Sequence, residues 1–252
     1  MTFDQLLADA NQDQFVVGLI LLGSRGKGFE TQFSDHDLMM VGGDSSASAT
    51  ADRYAKLALK DVDLKVLSQS AFQEYASWNS PEAWDRYTFA HVQILLDRLG
   101  MLAKIVEQKG RIPPEHKRAF IEQSLDGYIN AVVRSIKCFR NGNIFGARLE
   151  AITSVLDLLT TIFALESRHR PFPGYVELEL QRYPLQHIPW AADHLTAALG
   201  SVLDMADIRV QQRLLKEMND LARSTGYGHI FDAWDGVERW AMNVELPPPG
   251  ND

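Results

Sequence analysis

The sequence predicts a protein of mixed α/β (α+β) class, in which a small mixed β-sheet backed by helices is followed by an all-α helical bundle. Two observations predict this arrangement. In the first 110 residues, short apolar runs alternate with helical segments, which is typical of layered α/β domains. Beyond them, apolar residues recur at steps of three and four, which indicates amphipathic helices.

Four apolar runs in the first part are predicted strands. Residues 15–22 (FVVGLILL) form a nearly continuous run rich in β-branched residues, which favours a strand buried on both faces. The other three predicted strands are residues 36–41, 62–67 and 92–96. Between them we predict a glycine-rich loop at residues 23–28 and helices at residues 51–60, from about residue 71, and at residues 99–108.

The prolines at positions 113 and 114 mark a change of pattern, because proline ends one element and begins another. We therefore predict two domains, residues 1–110 and 111–252. The second is predicted to contain two antiparallel helices separated at residues 141–143, a proline-interrupted connection at residues 171–189, and helices at residues 191–205 and 210–224. The proline-rich tail, residues 247–252, is predicted to be disordered.

Composition excludes several classes of function. A formal net charge of -8 argues against broad nucleic-acid binding, which needs clustered Lys and Arg. The single cysteine, Cys138, excludes an intramolecular disulfide and a zinc site built from cysteines. The first fifteen residues are polar and acidic, unlike a secretory signal, and no apolar run is long enough for a membrane span, so we expect a cytoplasmic protein without a membrane partner.

Five residues carry the chemical prediction. Gly23 and Ser24 follow the first predicted strand, where free backbone N–H groups form a ready anion site. Asp35 and Asp37 are two residues apart, so in an extended strand both carboxylates point to one face. Asp63, on the third predicted strand, can supply a third carboxylate. Because Mg²⁺ prefers oxygen ligands and relieves such repulsion, the pattern predicts a phosphate site beside a magnesium site.

This order of motifs, GS followed by SDHDL and then by an Asp on the next strand, resembles the signature of the polymerase-β-like nucleotidyltransferase superfamily, which includes antibiotic and minimal nucleotidyltransferases. The motif region covers residues 15–67, and the helical half resembles the C-terminal domains of bacterial members more loosely. The resemblance implies that Gly23 and Ser24 hold the triphosphate. It also implies that Asp35 and Asp37 bind two Mg²⁺ ions and that Asp63 shares the catalytic metal.

The predicted helical half offers candidates for orienting substrates. Asp126, Arg134 and Lys137 fall on one stripe of a helix opposite its apolar face. In the functional interpretation this stripe faces the cleft between the domains, with the two basic side chains near phosphates and Asp126 taking the acceptor proton. In the structural interpretation it is an ordinary solvated face.

Three further candidates are less firmly placed. Arg25 belongs to the basic run RGKG, a departure from the family pattern, and is a candidate nucleotide ligand. Arg148 is predicted to project among the apolar residues of its helix, where a charge should bind a nucleotide or pair with Glu166. Glu150, on another face of that helix, is a second candidate base.

Taken together, the resemblance implies Mg²⁺-dependent transfer of a nucleoside monophosphate from an NTP to a hydroxyl group of a small molecule, with release of pyrophosphate. ATP is the expected donor on abundance alone. Two alternatives stay open. One is an antitoxin-type nucleotidyltransferase that modifies a protein side chain, and the other is a non-catalytic regulatory protein that retains the fold and binds a nucleotide.

Overall fold

The computed structural model describes residues 1–245 of the chain. The chain divides into two compact units, residues 1–112 (unit 1) and the chain from Pro113 onward (unit 2). Unit 1 contains a four-stranded mixed β-sheet with helices, and the described part of unit 2 is helical, which confirms the predicted class. Within residues 1–245, no helix has both the length and the apolar character needed to cross a membrane. The predicted disorder of residues 247–252 lies outside the described residues.

Unit 1 is built around a sheet with the strand order β3-β2-β1-β4. Strands β2 and β3 are parallel, and β1 is antiparallel to both β2 and β4. The elements in chain order are α1 (Phe3–Gln12), β1 (Val16–Leu21), α2 (Gly23–Lys27), β2 (His36–Gly42), α3 (Ala47–Tyr54), β3 (Val62–Ser68), α4 (Gln69–Glu74), β4 (Gln93–Asp97) and α5 (Leu102–Gly110). A 3₁₀ helix at Ala83–Phe89 precedes β4.

The central strands are buried on both faces, because successive side chains of a strand point to opposite sides. One face packs against α4 and α5, through Ile20, Met39, Val41, Phe72 and Leu102. The other face packs against α1 and α3, through Leu19, Leu38, Met40, Leu6 and Tyr54. This alternation determines which side of the sheet each polar residue at the start of β2 faces.

Several helices of unit 1 differ from the prediction. Helix α1 was not predicted, and α3 spans Ala47–Tyr54 instead of residues 51–60. Residues 23–27, predicted as a loop, form the short helix α2, which ends where Gly28 adopts the left-handed conformation at φ 73°. Helix α5 begins at Leu102 instead of residue 99 because the Asp97 carboxylate accepts hydrogen bonds from the backbone N–H groups of Leu99, Gly100 and Leu102. The formation of α2 and the late start of α5 come from local hydrogen bonds and backbone geometry, which apolar periodicity does not indicate.

Unit 2 is a helical bundle around one apolar core. Its helices are α6 (Pro114–Arg140), α7 (Ile144–Leu165), α8 (Val176–Arg182), α9 (Ala192–Met205), α10 (Ile208–Ser224), α11 (Gly228–Asp232) and α12 (Val237–Asn243). The turn between α6 and α7 is closed by Asn143, whose side chain accepts a hydrogen bond from the Gly146 N–H and caps α7.

The first turns of α7 bury small residues, and the apolar residues predicted to line this helix are only partly in the core. Val155, Leu159 and Ile162 are buried, whereas Ile144 and Ile152 are exposed. Ala147 and Ala151 are fully buried, and the Ser135 hydroxyl donates to the Ala147 carbonyl at 2.9 Å. Because these small residues occupy the interface, Ile152 is 42% exposed and Arg148 is exposed as well. Arg148 therefore does not project into an apolar surface, as the sequence pattern predicted.

Candidate active site

Two of the predicted metal ligands lie side by side on neighbouring strands. Asp37 of β2 is paired with Asp63 of β3 in the parallel register, so both side chains lie on the same face of the sheet. This is the face that packs against α4 and α5. Strand β2 begins at His36, so Asp35 lies in the loop before it. The conformation of this loop, and not the predicted strand alternation, therefore determines the position of Asp35.

The electrostatics of Asp37 show that the three carboxylates interact. Partial burial raises the pKa of Asp37 above its ordinary value of 3.8, and the negative charges of Asp35 and Asp63 raise it further. Lys27 and His36 act in the opposite direction, with smaller effects on the same pKa. The site therefore has an excess of negative charge, which a bound cation would stabilise.

Gly23 brings the start of α2 into contact with this acidic group. Its φ angle is +58°, and a Cβ atom at this position would lie 1.7 Å from Oδ2 of Asp37. The neighbouring Leu22 N–H donates to the Asp37 carbonyl oxygen at 2.8 Å. Glycine is thus required both by the backbone conformation and by the close approach of the carboxylate. Ser24, the predicted phosphate ligand that follows, is buried.

Arg25 fastens α2 to the segment that carries Asp35. Its Nη2 donates to the Ser34 carbonyl at 2.8 Å, and its Nε donates to the Asp35 carbonyl at 3.0 Å. The planar guanidinium suits such a forked contact with two acceptors. Arg25 therefore positions the acidic segment, and its predicted contact with a nucleotide stays a prediction.

Lys27 is a buried part of the site that sequence reasoning did not single out. Its side chain is 1% exposed, and Nζ donates to the backbone carbonyls of Tyr87, Thr88 and Ala90. These bonds tie α2 to the 3₁₀ helix before β4 and place a positive charge near Asp37. A lysine between two glycines is expected to be exposed, so the sequence did not predict that Lys27 is buried.

The chemistry of the donors fits Mg²⁺, because Asp35, Asp37 and Asp63 offer hard carboxylate oxygens that repel one another. However, these carboxylates do not yet converge on one point. Within residues 1–245, no three His, Cys, Asp or Glu side chains are arranged to hold a metal ion. The metal site stays a prediction, supported by the paired aspartates and the raised pKa of Asp37.

The candidates in unit 2 already have partners within that unit. Oδ1 of Asp126 accepts a hydrogen bond from Nε1 of Trp234 at 3.0 Å. Oε1 of Glu150 lies 2.7 Å from Nη2 of Arg134 in an ion pair. Lys137, like Asp126 and Arg134, lies on the exposed side of α6, where the predicted stripe placed it. The roles of these side chains towards a substrate stay predictions.

Glu166 was the predicted alternative partner of Arg148, and the structure gives it other partners. Its Oε1 accepts hydrogen bonds from the backbone N–H groups of Gln186 and His187, and its Oε2 lies 3.8 Å from Nη1 of Arg168. The proposed pairing of Glu166 with Arg148 is therefore wrong.

The fold and the site define a mixed α/β protein with an acidic site where the first strand ends and the next two begin. No protein-family model matches the sequence, and no curated protein matches it. Among solved structures, the chain is similar to a nucleotidyltransferase-like protein from Exiguobacterium sibiricum, with 13% identity and a TM-score of 0.43. The match covers 95% of this chain and 76% of that chain. So low an identity and TM-score do not by themselves assign a function.

Proposed function

We propose that this protein is a Mg²⁺-dependent nucleotidyltransferase that transfers a nucleoside monophosphate from an NTP, with ATP the expected donor, to a hydroxyl group of a small molecule. The convergence of Asp35, Asp37, Asp63 and Gly23 carries the proposal. Asp37 and Asp63 are paired in register, Asp35 is near enough to raise the pKa of Asp37, and the Gly23 backbone lies against the same carboxylate.

In the proposed reaction the acceptor hydroxyl oxygen forms a bond to the α-phosphorus, the bond from that phosphorus to the β-phosphate oxygen breaks, and pyrophosphate leaves. Asp35, Asp37 and Asp63 would hold two Mg²⁺ ions, which when bound neutralise the triphosphate and the charge that develops during transfer. Gly23 and Ser24 would offer their backbone N–H groups to a phosphate, and Ser24 would add its hydroxyl group.

The acceptor proton needs a base in the proposed reaction. Asp126 stays the first candidate, because the Trp234 indole fixes its carboxylate through Oδ1 and Oδ2 is the oxygen that would take the proton. Glu150, in its ion pair with Arg134, is the second candidate. Lys137 and Arg148 stay proposed nucleotide ligands on the ground of charge alone.

The test uses ATP labelled at the α-phosphate, Mg²⁺, and a panel of small hydroxyl compounds together with cell extract. We expect the label to move to a small acceptor and pyrophosphate to be released, with the rate of Asp37→Asn reduced by at least about 10²-fold. Asp61→Asn is the matched control, because Asp61 has φ 55° and asparagine adopts this left-handed conformation readily.

Two results would change the proposal. If the wild-type chain transfers no label, or if Asp37→Asn is as active as Asp61→Asn, nucleotidyl transfer at this site is refuted. If the label moves to a protein in the extract and to no small compound, the small-molecule acceptor is replaced by the protein-modifying alternative.

A further inference from the structure

Helix α7 carries apolar residues on two faces, and unit 2 covers only one of them. On the covered face, Val155, Leu158 and Ile162 are buried in the core of the bundle. The other face carries apolar residues at steps of four, three and four, which we call the α7 stripe: Phe145, Leu149, Ile152 and Leu156. A helix that is apolar on all sides is normally buried on all sides, so the α7 stripe indicates a surface that another molecule covers.

The α7 stripe is exposed over most of its length. Phe145 is 74% exposed, Leu149 is 51% exposed and Ile152 is 42% exposed, whereas Leu156 is partly buried. Single exposed apolar residues are common on protein surfaces, but a continuous apolar patch is typical of an interaction site. Successive turns of one helix face form such a patch here.

The acidic residues of α7 point away from the stripe. Glu150 lies 2.7 Å from Arg134 of α6 in an ion pair. Asp157 also faces α6, because a Cβ atom added to Gly127 would lie 3.0 Å from its Oδ2. The chain has a formal net charge of -8, so two copies repel each other over much of their surface. The stripe, to which α7 contributes no carboxylate, is a place where they can approach.

The spacing of the α7 stripe suits packing against an identical helix. Steps of four, three and four residues are those of the seam between two packed helices. If two copies of α7 run antiparallel, with a two-fold axis between residues 150 and 151, Leu149 lies beside Ile152 of the second copy. Phe145 then lies beside Leu156 of the second copy. Arg148, the one basic residue of α7, lies opposite an uncharged threonine, so like charges do not meet.

The exposed apolar area approaches what a dimer requires. A stable interface buries about 800 Å² of each partner, and about 65% of a homodimer interface is apolar. The α7 stripe and Ile144, which is 40% exposed, offer on the order of 400 Å², the size of the largest apolar patch on a typical monomer. Helix α9 packs against α7 and exposes Leu203 and Met205 in its last turn.

We propose that a second copy of this chain covers the α7 stripe, so that the protein forms a two-fold dimer in which two α7 helices pack antiparallel. In such a dimer the same patch serves both copies, and two-fold dimers are the commonest symmetric assemblies. An anionic membrane surface is a poorer match, because membrane-binding helices carry several Lys and Arg beside their apolar face, and α7 carries Arg148 alone. The proposal does not depend on nucleotidyl transfer.

Sedimentation equilibrium of the full chain over a concentration series tests the proposal. We expect the wild type to reach twice the mass of one chain at micromolar concentrations. Phe145→Lys should weaken association by at least about tenfold, because it places a charge in an apolar contact. Phe33→Lys is the matched control, because Phe33 lies in unit 1 and is 87% exposed, and it should leave association unchanged. Both positions are exposed, so circular dichroism should show folded chains.

A pair of variants tests the antiparallel arrangement. Leu149→Lys and Ile152→Glu should each weaken association, because each places two charges in the seam of a homodimer. An equimolar mixture of the two variants should recover a heterodimer. In this heterodimer the introduced ammonium group lies beside the introduced carboxylate, and the other central contact keeps its native leucine and isoleucine. Labelling each variant with a different fluorophore distinguishes the heterodimer.

A monomeric wild type, a dimer that Phe145→Lys leaves unchanged, or a mixture of Leu149→Lys and Ile152→Glu that stays monomeric would overturn the proposal. So would a monomeric wild type that sediments with phosphatidylserine vesicles through Phe145, because the stripe would then bind a membrane. None of these measurements uses a nucleotide. The dimer and the proposed nucleotidyl transfer can therefore fail separately.

Discussion

Asp37 is the residue at which the sheet, the start of α2 and the charge of the candidate site meet. It lies opposite Asp63 in the sheet register, and its Oδ2 contacts the backbone at Gly23. Its pKa is raised because burial and the neighbouring carboxylates make the charged form unfavourable in the absence of a bound cation. The charged form of Asp37 therefore destabilises the folded chain, so replacing Asp37 should change stability as well as activity.

We expect Asp37→Asn to raise the melting temperature at pH 7 in the absence of divalent metal. The pKa of Asp37 is raised in the folded chain above its ordinary value of 3.8, so the folded chain binds the Asp37 proton more tightly than the unfolded chain does. Stability therefore falls as the pH rises from 3.8 through the raised pKa, and the loss is complete above it. Asparagine removes this loss, so the gain should vanish below pH 3.8, where wild-type Asp37 is protonated in both states. A lower melting temperature for the variant at pH 7 would show that the Asp37 charge does not destabilise the folded chain.

Gly23→Ala should destabilise the chain, because a Cβ atom would overlap the Asp37 carboxylate and the left-handed conformation costs a non-glycine residue about 1–2 kcal/mol. Gly200→Ala is the control. Gly200 lies in α9 with no atom within 4 Å of an added Cβ, so alanine should stabilise by about 0.5–1 kcal/mol. Urea unfolding measures both, and equal effects of the two substitutions would refute the close packing at Gly23.

Among single residues, the sequence allowed prediction of those with partners close in the chain. The Asp-x-Asp pair and the Gly-Ser turn could be found because their spacing is short and has a stereochemical meaning. The burial of Lys27 on Tyr87 and the bond from Trp234 to Asp126 could not be found, because these partners are 60 and 108 residues apart in sequence. Such contacts follow from the tertiary fold.

Helix α2 and the segment before β2 act as one element because Arg25 joins them. The guanidinium donates to the carbonyls of Ser34 and Asp35 and so restrains a predicted metal ligand through its own backbone. This contact favours a positioning role for Arg25 over the direct nucleotide contact predicted from its charge.

Arg25→Lys should therefore lower kcat for the proposed transfer by roughly tenfold with little change in the KM for ATP. A lysine ammonium keeps the charge but cannot reproduce the planar fork that binds both carbonyls. Steady-state kinetics at saturating acceptor separate the two parameters. A raised KM with unchanged kcat would instead show that Arg25 contacts the nucleotide.

The strands could be predicted nearly to the residue, whereas α1 was not predicted and the bounds of α3 and α5 were misplaced. The predicted strand at residues 15–22 is observed at Val16–Leu21, and the one at residues 62–67 at Val62–Ser68. Apolar, β-branched runs that are bounded by glycine or polar residues predict strands well, because the pattern lies within the strand itself. The start of α5 depends on hydrogen bonds that the Asp97 carboxylate accepts, and the first turns of α7 bury small residues such as Ala147. Apolar periodicity indicates neither feature.

Each of the two units contains its own apolar core. The described core of unit 2 is built from residues of α6 to α12, and unit 1 has one apolar cluster on each face of its sheet. Separate cores of this kind are typical of regions that fold as domains. The predicted division of the chain into two domains can therefore be tested directly.

We expect the chain from Pro113 to its end to fold when expressed alone, with a helical circular dichroism spectrum and one cooperative unfolding transition. Its core does not need residues of unit 1. Val132→Asp is the control that should abolish the transition, because Val132 is fully buried and an unpaired charge there is prohibitive. An unfolded wild-type fragment would show that unit 2 is not an autonomous domain.

In the proposed function, Asp35, Asp37 and Asp63 hold a metal-bound nucleotide. Calorimetric titration of the full chain with α,β-methylene-ATP and Mg²⁺ tests it without requiring an acceptor. We expect the wild type and Asp61→Asn to bind the nucleotide, and Asp37→Asn to bind it at least about tenfold more weakly, because a predicted metal ligand is lost. Equal affinity of Asp37→Asn and Asp61→Asn, or no binding by the wild type, would contradict it.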